Sequence, residues 1–400
     1  MVWRRRLTRI TRTGIAVALP ADPSATLQWA ALISTYDCSI DNRHDYPEYR
    51  AEMTSQDTQT GYRIHRWNTD PSWEEFELPR PGPGEVIVRV EACGVGLTVL
   101  NSIRGDLGND PGLLPRVPGH ELAGRITEVG PGVEQDLLRR RVVAYFYLTC
   151  GLCGECLAGR DSLCRDLRGY VGVHRDGGYA PYAVLPAANV IPVPDGLDPI
   201  AATVVPDAVA TPVHVAARAA LDGDDRVVVI GAGGGVGIHM IQVALIKTAD
   251  VVGLDVTRDK LAAIDAQGAR AMDSSDFSSI PSPFTAGPPT VVIDFVGSAA
   301  TASWSIDTLG PRGRLVALTT FINRPISVEY RDFVFREIDL VGSRYATKAE
   351  VAEAADLVAT GKVDPVIGEV VGPAELLSLH ASLRTQQLIG RGALRWDLSP

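Results

Sequence analysis

Val227-Val-Val-Ile-Gly-Ala-Gly-Gly-Gly-Val-Gly-Ile-His-Met-Ile-Gln242 reads as strand, turn and helix in one stretch. Four apolar β-branched residues predict a buried strand, and the glycine run permits a tight turn with close backbone approach to a ligand. A helical pattern follows from Val236, with Ile238, Ile241 and Leu245 on one face. Free N–H groups and the positive end of the helix dipole then form a cradle for a phosphate. The spacing is not a strict G-x-G-x-x-G, because an extra glycine follows Gly231-x-Gly233; the best register is Ala232-x-Gly234-x-x-Gly237. Asp255 strengthens the reading. It closes a second apolar run, Val251–Leu254, eighteen residues after Gly237, where a dinucleotide fold places an acid on the ribose hydroxyls. A carboxylate there repels a 2′-phosphate, which favours NAD over NADP. The plain alternative is a βαβ unit whose Asp255 caps the next helix. Gly231, Gly233, Gly234, Gly235, Val236 and Asp255 are thus the cofactor candidates.

The 400 residues suggest two domains, and a hydrophobic content of 46% suffices for two cores. A net charge of −10 argues against nucleic acid or an anionic membrane as partner. No apolar run approaches the roughly 20 residues of a membrane span. Residues 1–52 differ from the rest, with Arg4, Arg5, Arg6, Arg9 and Arg12 ahead of the short apolar Gly14–Leu19. No clear signal-cleavage pattern follows. The expectation is a disordered extension over 1–57, with Met53 as the natural start, on a cytoplasmic protein.

From Tyr62 the sequence is orderly. Glu85–Glu91 alternates as a strand after the turn-rich Pro79–Gly84, and Gly124–Gly130 is another. Short strands and glycine turns continue to about 195, as in a small β-barrel. From about 211 helices and strands alternate, with later strands at 290–296, 314–319 and 338–341. A helix follows at 348–360, and short strands return from Gly361. The fold class is α/β: a β-barrel domain over 58–210, a doubly wound Rossmann domain over 211–345, and a return to the barrel over 346–400.

Four of six cysteines lie in fifteen positions, Cys150-x-x-Cys153-x-x-Cys156-x7-Cys164. Such crowding suits four thiolates around one tetrahedral Zn²⁺, and three interspersed glycines let the loop wrap. Two disulfides or four reduced thiols are the alternatives. Four protein ligands leave no open position, so this ion would be structural.

With these motifs in view, the chain resembles the zinc-containing medium-chain alcohol dehydrogenases from about residue 62 onward. Gly119-His-Glu121, the cysteine lobe, the glycine turn, Asp255 and Gly390-Arg391 stand in the family order. The resemblance implies a GroES-like catalytic domain split around the Rossmann domain, and an active site in the cleft between them. It further implies a small-molecule substrate, alcohol–carbonyl chemistry by hydride transfer, and a homodimer or homotetramer. Carried over, His120, Glu121 and Asp207 fall on catalytic-zinc positions. Thr98 and Thr211 lie near the reacting groups, Lys260 near the adenosine ribose, Val296 beside the cofactor, and Arg391 on the pyrophosphate.

One departure decides the chemistry. In Cys93-Gly-Val-Gly-Leu-Thr-Val-Leu-Asn101, Gly96 stands where the family has its first zinc-ligating cysteine, and Asn101 where it has a relay histidine. Cys93 reads as a small buried residue rather than a substitute ligand. With a metal on His120, Asp207 and Glu121, an alcohol or carbonyl oxygen would be polarised and Thr98 would move the proton. Gly96→Cys is then expected to raise zinc content. Without one, hydride addition to an α,β-unsaturated carbonyl is the better fit, with Thr98 or Tyr345 as proton donor; Tyr345 reads better as an interface aromatic. A non-catalytic nucleotide-binding protein is the remaining alternative. His239 reads as a helix-surface residue near the cofactor, His214 as helical, and Ser343 and Arg344 as residues that line the pocket by position.

Overall fold

The computed structural model describes residues 58–320 and 324–397. The expected extension over 1–57 lies outside them. Fifteen strands are assigned: β1 Thr58–Arg63, β2 Ser72–Glu77, β3 Glu85–Val95, β4 Glu121–Val129, β5 Arg141–Ala144, β6 Tyr182–Pro186, β7 Val190–Pro192, β8 Arg226–Ile230, β9 Asp250–Asp255, β10 Arg270–Asp273, β11 Val291–Asp294, β12 Arg314–Ala317, β13 Asp339–Gly342, β14 Ile367–Val371 and β15 Arg391–Arg395. They form an antiparallel β1–β2 pair and two sheets.

The nucleotide sheet is parallel with order β10-β9-β8-β11-β12-β13. Counted from β8 this is 3-2-1-4-5-6, the doubly wound order, and ligands bind where the order reverses, between β8 and β11. Val227, Val228, Val229 and Ile230 are all buried, as a central parallel strand with both faces covered requires.

The barrel sheet runs β14-β15-β3-β4-β5-β7, with β6 also on β3. Its β14 and β15 arrive from beyond the nucleotide half. β3 extends four residues past Glu91, to Val95, and pairs antiparallel with β15 through Gly392↔Val95 and with β4 through Gly94↔Glu121. The expected return to short strands after Gly361 also contains a helix, Leu376–Arg384, whose Leu376, Leu379, His380 and Leu383 are buried. Apolar residues at that i, i+3, i+7 spacing are a legible helical signal.

The two halves are stitched beside the glycine turn. His239 accepts a hydrogen bond from the Val366 N–H at Nε2 (3.0 Å), which leaves its Nδ1–H to donate to the Gly235 carbonyl (2.8 Å). Gln242 exchanges two bonds with the Asp364 backbone, at 2.8 and 2.7 Å. His239 is therefore a fully buried strut, not a helix-surface residue. Burial lowers its pKa to about 4, so the ring is neutral.

Candidate active site and metal centres

The cofactor end is built by close backbone approach. Gly231 has φ 76°, and a Cβ on Gly237 would lie 2.2 Å from the Gly231 carbonyl oxygen, so turn and helix meet only with glycine at 237. Helix Gly237–Lys247 follows, with Val236 at its N-cap. The Asp255 carboxylate accepts from the Gly233 N–H (2.9 Å) and the Val256 N–H (2.8 Å), and Lys260 Nζ stands 4.0 Å away. Val296 follows β11 and packs a methyl beside Gly231. The structure thus brings Gly231–Val236, Asp255, Lys260 and Val296 together at the switch point, in a cradle that fits a dinucleotide.

In the cysteine lobe the Sγ–Sγ separations include 3.9 Å (150–156), 3.6 Å (153–156), 4.0 Å (153–164) and 3.5 Å (150–164). Zn–S bonds of about 2.3 Å in a tetrahedron require edges of about 3.8 Å. The same separations rule out disulfides, whose sulfurs lie about 2.05 Å apart. N–H groups of Cys156 and Arg165 hold Cys153 down at about 6, while burial and the neighbouring sulfurs push Cys156 up to about 12. Four such sulfurs fit a zinc ion.

The His120, Glu121 and Asp207 ligating atoms also lie within 4.8 Å of one another. Asp207 sits in one π-helical turn, Val205–Val209, that runs straight into helix Ala210–Arg218. Yet this centre already contains a cation. Register places Arg391 one step beyond Gly392↔Val95, directly across from Gly96, and cross-strand partners project to the same face. Arg391 Nε donates to Glu121 Oε2 (3.0 Å), and Nη2 to Glu121 Oε1 (2.6 Å) and Asp207 Oδ2 (2.9 Å). The remaining Asp207 oxygen accepts from the Thr211 hydroxyl at 2.7 Å. A Cβ on Gly96 would stand 2.3 Å from the Arg391 Cζ. The guanidinium thus occupies the space that a side chain at 96 would enter.

Arg391 is 3% exposed and Glu121 is fully buried. Burial works against the Arg391 charge, but the Glu121 and Asp207 carboxylates outweigh it and hold the pKa above the usual arginine value. Burial likewise pushes Asp207 up, and contacts with His120, Arg391 and Thr211 more than reverse this, leaving it below the usual carboxylate range.

A divalent ion does not fit this centre as it stands. All four carboxylate oxygens have donors, and a fixed guanidinium shares the space. His120 Nε2 alone lacks a hydrogen-bond partner, 3.8 Å from Asp207 Oδ2. Arg391 also reaches the glycine turn. Its Nε and Nη2 are committed to carboxylates, while Nη1 lies 3.0 Å from where a Gly235 Cβ would stand. Cys93 is fully buried, and burial raises its pKa well above the usual thiol value, as for a packing residue.

Between the halves lies a cleft of about 690 Å³, lined among others by Thr98, Phe146, Tyr147, Asp207, Thr211, Val236, Ser343, Arg344 and Tyr345. Thr98 starts helix Leu97–Arg104 and faces this space. Tyr345 is excluded as a proton donor, since its hydroxyl donates to the Pro206 carbonyl (2.6 Å) and accepts from the Phe146 N–H (3.3 Å). His214 pairs with Glu350 at 2.8 Å. Asn101 accepts from Arg104 and relays nothing to the cleft.

Comparisons with known proteins agree with this geometry. Residues 82–195 match the family model described as alcohol dehydrogenase GroES-like domain, and 235–360 match that described as zinc-binding dehydrogenase. An alcohol dehydrogenase of Geobacillus stearothermophilus is 32% identical over 81% of this chain and 96% of its own. An acryloyl-coenzyme A reductase of Metallosphaera sedula is 30% identical over 79% and 94%. A solved alcohol dehydrogenase from Pyrobaculum aerophilum, bound to cobalt and zinc, superposes with a TM-score of 0.76 at 28% identity, covering 84% of this chain and 99% of that one.

Proposed function

Because the chain belongs to the zinc-type medium-chain dehydrogenase/reductase superfamily, we propose that this oxidoreductase reduces an activated carbon–carbon double bond with NADH and holds a single, structural zinc in its cysteine lobe. The observation that carries the reading is Arg391: a buried guanidinium bonded to Glu121 and Asp207 leaves no place for the Lewis acid that alcohol oxidation needs. An α,β-unsaturated carbonyl is already polarised and needs none. A relative named for acryloyl-coenzyme A reduction supports the same chemistry.

When bound, the nicotinamide supplies a hydride, and the β-carbon of the substrate receives it. The π-electrons move onto the carbonyl oxygen, and the α-carbon then takes a proton. Among the hydroxyls that line the cleft, Thr98 is the one we assign to pass this proton from solvent. The Thr211–Asp207–Arg391 chain fixes the wall beside it, since each link is a short bond to a charged group. Phe146 packs against His120 with ring centroids 4.3 Å apart and helps close that side to water. Asp255, with both oxygens facing backbone amides, supports a ribose contact and hence NAD over NADP.

Alcohol–carbonyl interconversion is the second reading, favoured by the partnerless His120 Nε2. Incubating the enzyme with NADH and a 2-enal separates the two. The saturated aldehyde is the expected product; an allylic alcohol, with the double bond intact, would establish the second reading.

A further inference from the structure

We propose that Arg344 and Ser343 form a subsite for a carboxylate carried by the substrate away from its reacting carbon. The inference rests on the reduction reading above and narrows its substrate class to unsaturated oxo acids.

The cleft wall is cationic although the chain carries a net charge of −10. Arg160, Arg218 and Arg344 all line it, while its single acid, Asp207, has both oxygens bonded. Two of the three arginines are engaged: Arg160 with Glu155 at 2.8 Å, and Arg218 with the Gly342 carbonyl at 3.2 Å. Arg344 pairs with no carboxylate among the described residues. Its Cζ stands 5.0 Å from the centroid of the Tyr147 ring, and its Nε lies 3.4 Å from the Tyr147 hydroxyl. A ring under a guanidinium restricts its orientation without neutralising its charge. Its Nε donates to that hydroxyl, and the guanidinium charge still lacks an anion, for which a carboxylate is the best geometric match.

The neighbouring residue supplies an independent observation. Ser343 is 8% exposed, lines the same cleft, and its hydroxyl has no hydrogen-bond partner. A buried hydroxyl left unpaired is costly, so one that persists facing a cavity is accounted for by a ligand. Its main chain is not free to turn it elsewhere, because the Ser343 N–H is bonded to the Ala317 carbonyl at 3.0 Å.

Position separates this subsite from the reacting centre. Arg344 lies over Tyr147, Tyr147 contacts Phe146 (5.4 Å between centroids), and Phe146 packs against His120. A chain of two aromatic rings thus links the guanidinium to the His120 centre. A carboxylate held ionised on Arg344 withdraws electrons poorly, so the group that activates the double bond must be a separate carbonyl. The substrate must carry both a carbonyl and a remote acid.

The test uses binding, so it does not depend on turnover. 4-Oxopentanoate and its amide differ only in charge at one end, and both are titrated into the NADH-saturated enzyme by calorimetry. The acid is expected to bind at least tenfold more tightly than the amide. Arg344→Gln should bring the acid-to-amide ratio close to one, Arg344→Lys should leave it intermediate, and Ser343→Ala should lower it a few-fold. Equal affinities in the unaltered enzyme, no binding of either probe, or a ratio that survives Arg344→Gln would overturn the subsite. If the ratio behaves as expected while enals are not reduced at the double bond, the reaction assignment falls and the subsite stands.

Discussion

The cysteine lobe and the His120–Glu121–Asp207 centre each gather metal-ligating side chains within bonding reach of one point, yet they are electrostatic opposites. In the lobe four sulfurs face each other with backbone N–H groups as their donors, and among the described residues no side-chain cation bonds to them. In the centre two carboxylates and a histidine surround a guanidinium supplied by the chain itself. Proximity of ligand atoms is therefore a poor guide to metal occupancy. What matters is whether their lone pairs are already committed.

The largest effect should come from the lobe. Cys153→Ser removes one of four thiolates and should take zinc from near one equivalent per chain towards none. The melting temperature should fall with it, because zinc bound only by the folded lobe stabilises the fold. Elemental analysis and a melting curve check this, and a stable variant with full zinc would break the comparison.

The centre comes next. Arg391→Leu leaves Glu121 buried without its counter-charge and should cost about 3–5 kcal/mol in chemical denaturation. It also sharpens the contrast, because Gly96→Cys alone should gain no second zinc: its Cβ would meet the Arg391 Cζ at 2.3 Å. The expectation from the sequence, that Gly96→Cys by itself restores a site, is replaced by this one. The double variant Gly96→Cys with Arg391→Leu should take up a second equivalent. A second zinc in the single variant would show that the guanidinium yields.

The smallest effect lies outside both cation sites. Asp255→Ala should weaken NAD by roughly 1–3 kcal/mol, or about 5- to 160-fold, and narrow its advantage over NADP, with zinc content unaltered. Fluorescence titration with both reduced cofactors measures it, and unchanged selectivity would show that Asp255 does not touch the ribose.

The features legible in the sequence are the local ones. The strand–glycine–helix stretch and the cysteine spacing each declare themselves within about one structural unit, because periodicity and ligand spacing are short-range properties. The vacancy at Gly96 was equally plain. Its occupant was not, since Arg391 reaches it only through the register of β15 on β3, and register is set by the whole sheet. His239 escaped for a related reason. Ile238 and Ile241 mark the core face of its helix, and only the returning segment at 364–366 buries the other.

That returning segment has a mechanical consequence. His239 and Gln242 pin it to the helix behind the glycine turn through three hydrogen bonds, and the same segment leads into the sheet that carries Arg391. A door needs one fixed edge. Any swing of one half against the other must turn about this pinned seam or tear it. The rim beside Arg344 is tied as well: Tyr345 bonds to Pro206 and Phe146, and Ala346 to Tyr145.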